Sequence, residues 1–207
     1  MLVLIEGSYG GCEYAIMFKA FGIDTTDDIT KADLVCFTGG SDVTPSMYKQ
    51  AKHPTTYNNV ERDKHCMDLF NQCVERDIPM VGICRGSQFL CVANYGTLWQ
   101  DIDGHLGDHW TLTIGGDIIR VTSTHHQEMN PVHGKILMTA QSGSTRSYMN
   151  ADGVQATVGK TTPTVEAVYW EHTRSLGVQG HPEFRSAGGE FRKWFMEQVS
   201  ALMEGDI

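Results

Sequence analysis

Three short apolar runs, LVLI at residues 2–5, LVCFT at 34–38 and MVGIC at 80–84, are each followed within two residues by a glycine. Unbroken apolar runs of this length suit strands buried on both faces, which belong to parallel sheets covered by helices. A helical stretch follows each run. Residues 12–21 read as the first helix, with Gly22 to end it. Residues 60–76 carry the clearest helical signal, because Cys66, Leu69, Phe70, Cys73 and Val74 fall on one face. Residues 86–95 read as the third. Strand–helix repeated three times predicts an α/β three-layer sandwich with a mostly parallel central sheet. The second half changes character. HWTLTIGGDIIRVTSTHHQ alternates about Gly115 and Gly116 like a hairpin, and TVEAVYW and SLGVQG read as further strands. A final helix puts Phe191, Trp194, Phe195, Val199 and Leu202 on one face. An antiparallel annex in the second half is the expectation. With 207 residues and no repeat, low-complexity tract or linker, residues 1–207 are expected to form a single domain.

Sixteen basic against 25 acidic residues make the chain strongly acidic. That balance argues against nucleic acid and against an anionic membrane as partners, since both favour net positive charge. The N-terminus lacks the basic leader and long apolar core of a signal peptide, and no run is long enough to span a bilayer. Six cysteines lie mostly inside apolar patterns with no metal-type Cys-x-x-Cys pair. Reduced thiols in a cytoplasmic protein follow from that usage.

Cys84 is the exception among them. It ends one apolar run and directly precedes a helix, the place where open parallel sheets gather their sites. A helix N-terminus offers unpaired N–H groups and partial positive charge, which favour a thiolate, the nucleophilic form. Gly82 and Gly86 flank it in a G-x-C-x-G pattern, as at a strand-to-helix nucleophile elbow. The backbone N–H of Arg85 is then placed to hold an oxyanion. The competing reading is a buried structural cysteine. An acyl-transfer nucleophile also needs an acid–base partner. GVQGHPEF offers His181, with Glu183 two residues on, where an extended segment restrained by Pro182 points both side chains the same way. Glu183 would fix the His181 tautomer and stabilise its cation; the bland alternative is a surface His beside a Glu.

His105 and His109 have a spacing that binds metal on a helix, but Gly104 and Gly107 argue against a helix and no third ligand is apparent, so no metal is expected. GSYGG at residues 7–11 lacks the spacing of a phosphate-binding loop and reads as a tight turn. No cofactor is called for.

GICRGSQ, GTLWQDI, THHQ and GVQGHPEF, in that order, resemble the class I glutamine amidotransferase-like superfamily. FTGGSDVTPSMY and the ERD at Glu61 to Asp63 are similar to its γ-glutamyl hydrolase and γ-glutamyl-GABA hydrolase branch, the peptidase C26 group. The resemblance implies a flavodoxin-like fold. It implies a γ-glutamyl thioester on Cys84, with His181 and Glu183 completing a triad. It also implies an oxyanion hole from Arg85 with Gly39 or Gly40, and substrate contacts from Gln88, His125, His126 and Gln127. The sequence departs from the family at Gly180, where Trp is usual, which would leave the pocket beside His181 more open. It departs again at Tyr95, where glycine is usual, and in TSTHHQ, where the family reads NSxHHQ. The chain is also shorter than is typical of the branch, between residues 140 and 165.

The implied activity is cysteine-dependent hydrolysis of a γ-glutamyl amide, either glutamine itself or a γ-glutamyl amine. An alternative is a glutaminase subunit that delivers ammonia to a separate synthetase or ligase chain, since no ATP-binding domain is present. A non-catalytic or redox-sensing protein of the DJ-1 kind is a third reading, one that would not need His181 and Glu183. A second copy of the chain stays open as a partner.

Overall fold

The segments 34–37, 80–83 and 175–178 are buried at every position, the pattern of strands covered on both faces. They lie at the centre of a computed structural model that describes residues 1–7, 11–160, 163–184 and 188–207. In chain order the first half runs β1 (Leu2–Glu6), α1 (Gly11–Ala20), β2 (Asp24–Thr26), β3 (Leu34–Phe37), α2 (Val60–Arg76), β4 (Met80–Ile83) and α3 (Arg85–Ala93). The second half adds β5 (Thr97–Trp99), β6 (Asp101–Ile102), β7 (His109–Thr113), β8 (Ile118–Val121), β9 (Glu128–Asn130), β10 (Lys135–Gly143) and β11 (Arg146–Met149). It closes with β12 (Gln155–Val158), β13 (Pro163–Trp170), β14 (Ser175–Val178) and α4 (Gly188–Glu204). The turn of GSYGG at Ser8 to Gly10 lies outside the described residues.

A nine-stranded sheet runs β2-β1-β3-β4-β14-β13-β10-β7-β8. From β2 to β14 every pairing is parallel; from β14 to β8 every pairing is antiparallel. The α/β expectation with an antiparallel annex is met. The annex is wider than the sequence suggests, because the nine-residue β10 inserts between β13 and the β7–β8 hairpin. Two small sheets, β12-β11-β6 and β5-β9, sit beside the main one.

Helices cover both faces. On one, α1 and α4 bury Phe18, Phe191, Phe195 and Val199 against Val3, Ile83 and Val178. On the other, α2 and α3 bury Cys66, Leu69, Phe70 and Phe89 against Val35, Phe37 and Trp170. The apolar face read from residues 60–76 is the one that docks, Val74 excepted, which stays exposed. Asn59 caps α2 by accepting from the Arg62 N–H at 3.1 Å, and Asp77 closes it in the left-handed conformation at φ 55°. The carboxyl ends of β1, β3, β4 and β14 consequently meet on one edge of the sheet.

Candidate active site

At that edge, Cys84 joins β4 to α3 with φ 54° and ψ −113°, a conformation a non-glycine residue adopts only under constraint. The constraint is visible. The Cys84 N–H donates to the Val178 carbonyl at 2.8 Å, and its own carbonyl accepts from the Ser87 hydroxyl at 2.7 Å and the Ser87 N–H at 3.0 Å. A Cβ on Gly86 would overlap the Phe37 carbonyl, and one on Gly82 would overlap the Gly86 carbonyl. Both glycines of G-x-C-x-G are therefore required by close backbone approach. The Arg85 side chain turns away and is buried: it pairs with Asp63 of α2, places Nη1 3.2 Å from Cys66 Sγ and lies over the Phe89 ring at 5.3 Å. Its N–H stays at the start of α3, among the helix donors with no partner inside the helix.

His181 follows β14 across the edge. Its N–H donates to the Thr122 carbonyl at 3.0 Å, and its Nδ1 is 2.6 Å from Glu183 Oε1. A point one Cβ beyond Gly39 lies 3.3 Å from His181 Cε1 and 3.7 Å from Cys84 Cβ, so imidazole and thiol flank the same spot. Burial lowers the affinity of this ring for a proton. Hydrogen bonds to Cys84 and Glu183 more than offset that and raise its pKa to about 10. The structure thus brings Cys84, His181 and Glu183 together from distant parts of the chain. Three neighbours escaped the sequence reading. Phe184 stacks on the imidazole with centroids 4.3 Å apart. Thr124 sets its hydroxyl 2.9 Å from His181 Nε2. Tyr14 of α1 accepts the Gly39 N–H at 3.1 Å.

That last bond separates the two glycines. The Gly39 N–H is engaged, so Gly40 is the member of the pair with its N–H left for a ligand. Arg62 holds this loop from behind. It grips Glu6 through Nε at 3.1 Å and Nη2 at 2.9 Å, and donates to the carbonyls of Gly39 at 3.0 Å and Thr38 at 3.2 Å. Gly40, at φ 138°, lies so close to the guanidinium that a Cβ there would overlap Nη1.

A cavity of about 240 Å³ opens between these parts. Cys84, Gly40, Thr124, His181, Asp42 and Gln88 are among the residues that line it. All four residues expected to bind substrate, Gln88, His125, His126 and Gln127, line this cavity. His126 faces the cavity, half-buried, with Nε2 3.2 Å from Asp42 Oδ1, and that bond raises its pKa. Gln88 also lines the cavity, but donates to the Gln127 carbonyl at 3.0 Å. Gln127 is buried and donates to Thr56 at 3.2 Å. His125 lines the cavity while its Nε2 turns toward Glu166 of β13. Asp42 also lines the cavity, a residue inside FTGGSDVTPSMY that the motif does not single out. The expected opening beside His181 is not there: a Cβ on Gly180 would meet the Phe191 ring at 2.9 Å and the Thr122 carbonyl at 3.2 Å, so α4 fills that space. Tyr95, in the place of a usual glycine, has φ 67° and is exposed, so the turn keeps its shape at a cost in strain.

Behind the 124–127 loop, His105 and His109 also turn toward Glu166. The sequence offered these two histidines no third partner; the fold brings one from β13.

The peptidase C26 family model matches residues 8–183, a span that contains every residue of the cleft. A protein of Mycobacterium tuberculosis provisionally named a glutamine amidotransferase is 31% identical over 168 residues, or 70% of this chain and 49% of that protein. The chain spans about half the length of that relative. Protein NtpR of Enterococcus hirae is 25% identical over 179 residues, 75% of this chain and 68% of its own. Among solved structures, a glutamine amidotransferase from Thermotoga maritima aligns with a TM-score of 0.61 at 16% identity, covering 100% of this chain and 85% of the other. PurLQS of the same organism aligns with a TM-score of 0.64 at 17% identity, covering 97% and 98%. Identities this low speak to the fold alone.

Proposed function

Because the chain belongs to the peptidase C26 family, we propose that it hydrolyses a γ-glutamyl amide bond through a thioester on Cys84. The family and its glutamine amidotransferase-like relatives support a hydrolase-type enzyme. The observation that carries the finer reading is the strained Cys84 beside an imidazole that Glu183 holds at 2.6 Å.

In this mechanism Cys84 Sγ attacks the γ-carbonyl carbon. The carbonyl oxygen gathers negative charge and accepts from the N–H groups of Arg85 and Gly40. Imidazolium His181 gives its Nε2 proton to the departing nitrogen, the C–N bond breaks, and the thioester remains. His181, now neutral, takes a proton from water; hydroxide adds to the thioester carbon, the C–S bond breaks, and glutamate leaves. Glu183 keeps Nδ1–H fixed throughout and stabilises the cation. Asp42 and His126, a charged pair lining the cavity, suit the α-amino and α-carboxylate groups of a glutamyl unit. A groove of about 190 Å³ lined by Glu13, Tyr14 and Phe184 adjoins His181 and gives the amine a way out.

The glutaminase-subunit reading keeps one observation in its favour. Trp110, Leu112, Ile114 and Ile118 leave an exposed apolar surface on the β7–β8 hairpin, of the kind a second chain covers. One assay separates the readings. Ammonia release from glutamine and amine release from γ-glutamyl amides are measured side by side, with Cys84→Ala as the control. Amine release by the isolated chain is expected. Glutamine turnover that appears only with a synthetase chain added would replace this reading with the subunit one, and undiminished turnover in Cys84→Ala would sink both.

A further inference from the structure

Three imidazoles and a carboxylate converge behind the 124–127 loop, outside the proposed triad. Glu166 Oε1 is 2.9 Å from His109 Nε2 and 3.4 Å from His105 Nε2, and its Oε2 is 3.9 Å from His125 Nε2. The ligand atoms of His105, His109 and Glu166 lie within 4.8 Å of one another. Tetrahedral zinc, with bonds of about 2.0–2.1 Å, holds its ligand atoms roughly 3.3 Å apart, so these three need little movement to close on an ion.

The hydrogen bonds behind the rings show what the cluster lacks. His105 sets Nδ1 2.8 Å from the Ser144 hydroxyl and 3.2 Å from the Asp103 carbonyl, and His109 sets Nδ1 3.4 Å from the Gly107 carbonyl. His125 sets Nδ1 2.9 Å from the Gln127 carbonyl, with the Gln179 amide sharing that side. A ring that gives its Nδ1 proton to such a carbonyl presents a lone pair at Nε2, the tautomer of a metal-bound imidazole held by an outer carbonyl. Nε2 of all three rings faces the Glu166 carboxylate, and His109 hydrogen-bonds to it at 2.9 Å. Among the described residues, His105 Nε2, His125 Nε2 and Glu166 Oε2 are buried with no hydrogen-bond partner. The side chains of His105, His125 and Glu166 are each 1% exposed.

We propose that His105, His109 and Glu166 bind a divalent transition-metal ion, zinc by donor chemistry, with His125 Nε2 as the fourth ligand. Three imidazoles and one carboxylate suit zinc, and four protein ligands make a closed, structural site. The ion would join the 103–109 loop, the base of the 124–127 loop and β13. It would thereby fix the segment that carries Thr124 and His126 to the cleft. Nothing in this depends on turnover.

The test is metal content, spectrum and melting of the full chain. After loading with Zn²⁺ and removal of excess, about one zinc per chain is expected in the wild type and equally in Cys84→Ala, with a higher melting temperature that a chelator reverses. The Co²⁺ form should show visible tetrahedral bands without a thiolate charge-transfer band. Glu166→Gln should lose the metal. His109→Ala replaces a ring with a 12% exposed side chain, folds on structural grounds and should weaken zinc binding at least tenfold, since even outer-shell changes cost roughly 10–100-fold. Substoichiometric zinc in the loaded wild type, equal zinc affinity in His109→Ala, or a thiolate band that vanishes with Cys84→Ala would each overturn the proposal.

Discussion

Cys84 holds a strained backbone conformation. A non-glycine residue at φ 54°, ψ −113° costs about 1–3 kcal/mol, and glycine would remove that penalty while adding about 0.5–1 kcal/mol of backbone entropy. Cys84→Gly is accordingly expected to be more stable by about 1 kcal/mol, with a melting temperature about 2–4 °C higher by calorimetry, and to have no hydrolase activity. Cys84→Ala keeps the strain and should melt near the wild type. The imidazole makes a second prediction. Glu183 favours the charged form of His181, so Glu183→Gln must lower the pKa that the intact ring holds at about 10. The alkaline limb of the kcat/KM profile should move to lower pH, and the plateau should fall by roughly 10²–10⁴-fold. An unmoved limb would mean that Glu183 has no part in setting the cation.

At the scale of elements, the elbow depends on backbone packed against backbone. Gly86→Ala would drive a methyl group into the Phe37 carbonyl, and neither α3 nor β3 can yield without moving the Gly39–Gly40 turn. A loss of about 1–3 kcal/mol in urea denaturation is expected, with reduced activity in the fraction that folds. Elements of this length and regularity were legible beforehand. The helix at 60–76 showed through its spacing, and β3 and β4 through unbroken apolar runs. The small strands were not: β2, β5, β6 and β9 are two or three residues long, too short for any period to register. β10 went unread because KILMTAQSG mixes apolar and polar residues with register shifts against β13. The site divides the same way. Cys84, His181 and Glu183 stood out because each sits in a local pattern. Asp42, Thr124 and Phe184 lie inside FTGGSDVTPSMY, THHQ and GVQGHPEF without being singled out there, and Tyr14, outside every motif, meets Gly39 across 25 residues of chain. Glu166 reads in sequence as one more residue of an apolar strand; only the fold turns it toward three histidines.

For the whole molecule, the buried charges set the range of pH in which the fold is secure. His181 has a folded pKa of about 10 against an ordinary 6.5, so its contribution is complete below about 6.5 and is lost as pH rises toward 10. Glu6 works the other way. Burial raises its pKa, but the Arg62 hydrogen bond and charge more than offset this and hold it below 4.5. Its contribution is complete above about 4.5 and fades as pH falls through the depressed folded value. The melting temperature should decline between about pH 6.5 and 10, and less steeply in His181→Ala; parallel curves for the two proteins would refute the assignment. The acidic surface adds self-repulsion on the same alkaline side. Among the described residues no helix is long and apolar enough to cross a membrane.

Arg62 and Asp63 are consecutive in the first turn of α2, yet one holds the carbonyls of Thr38 and Gly39 and the other holds the Arg85 side chain. Both jaws of the proposed oxyanion grip are thus bolted to a single mount. Moving that turn would pull on the backbones of Gly40 and Arg85 together, like a caliper locked at one setting.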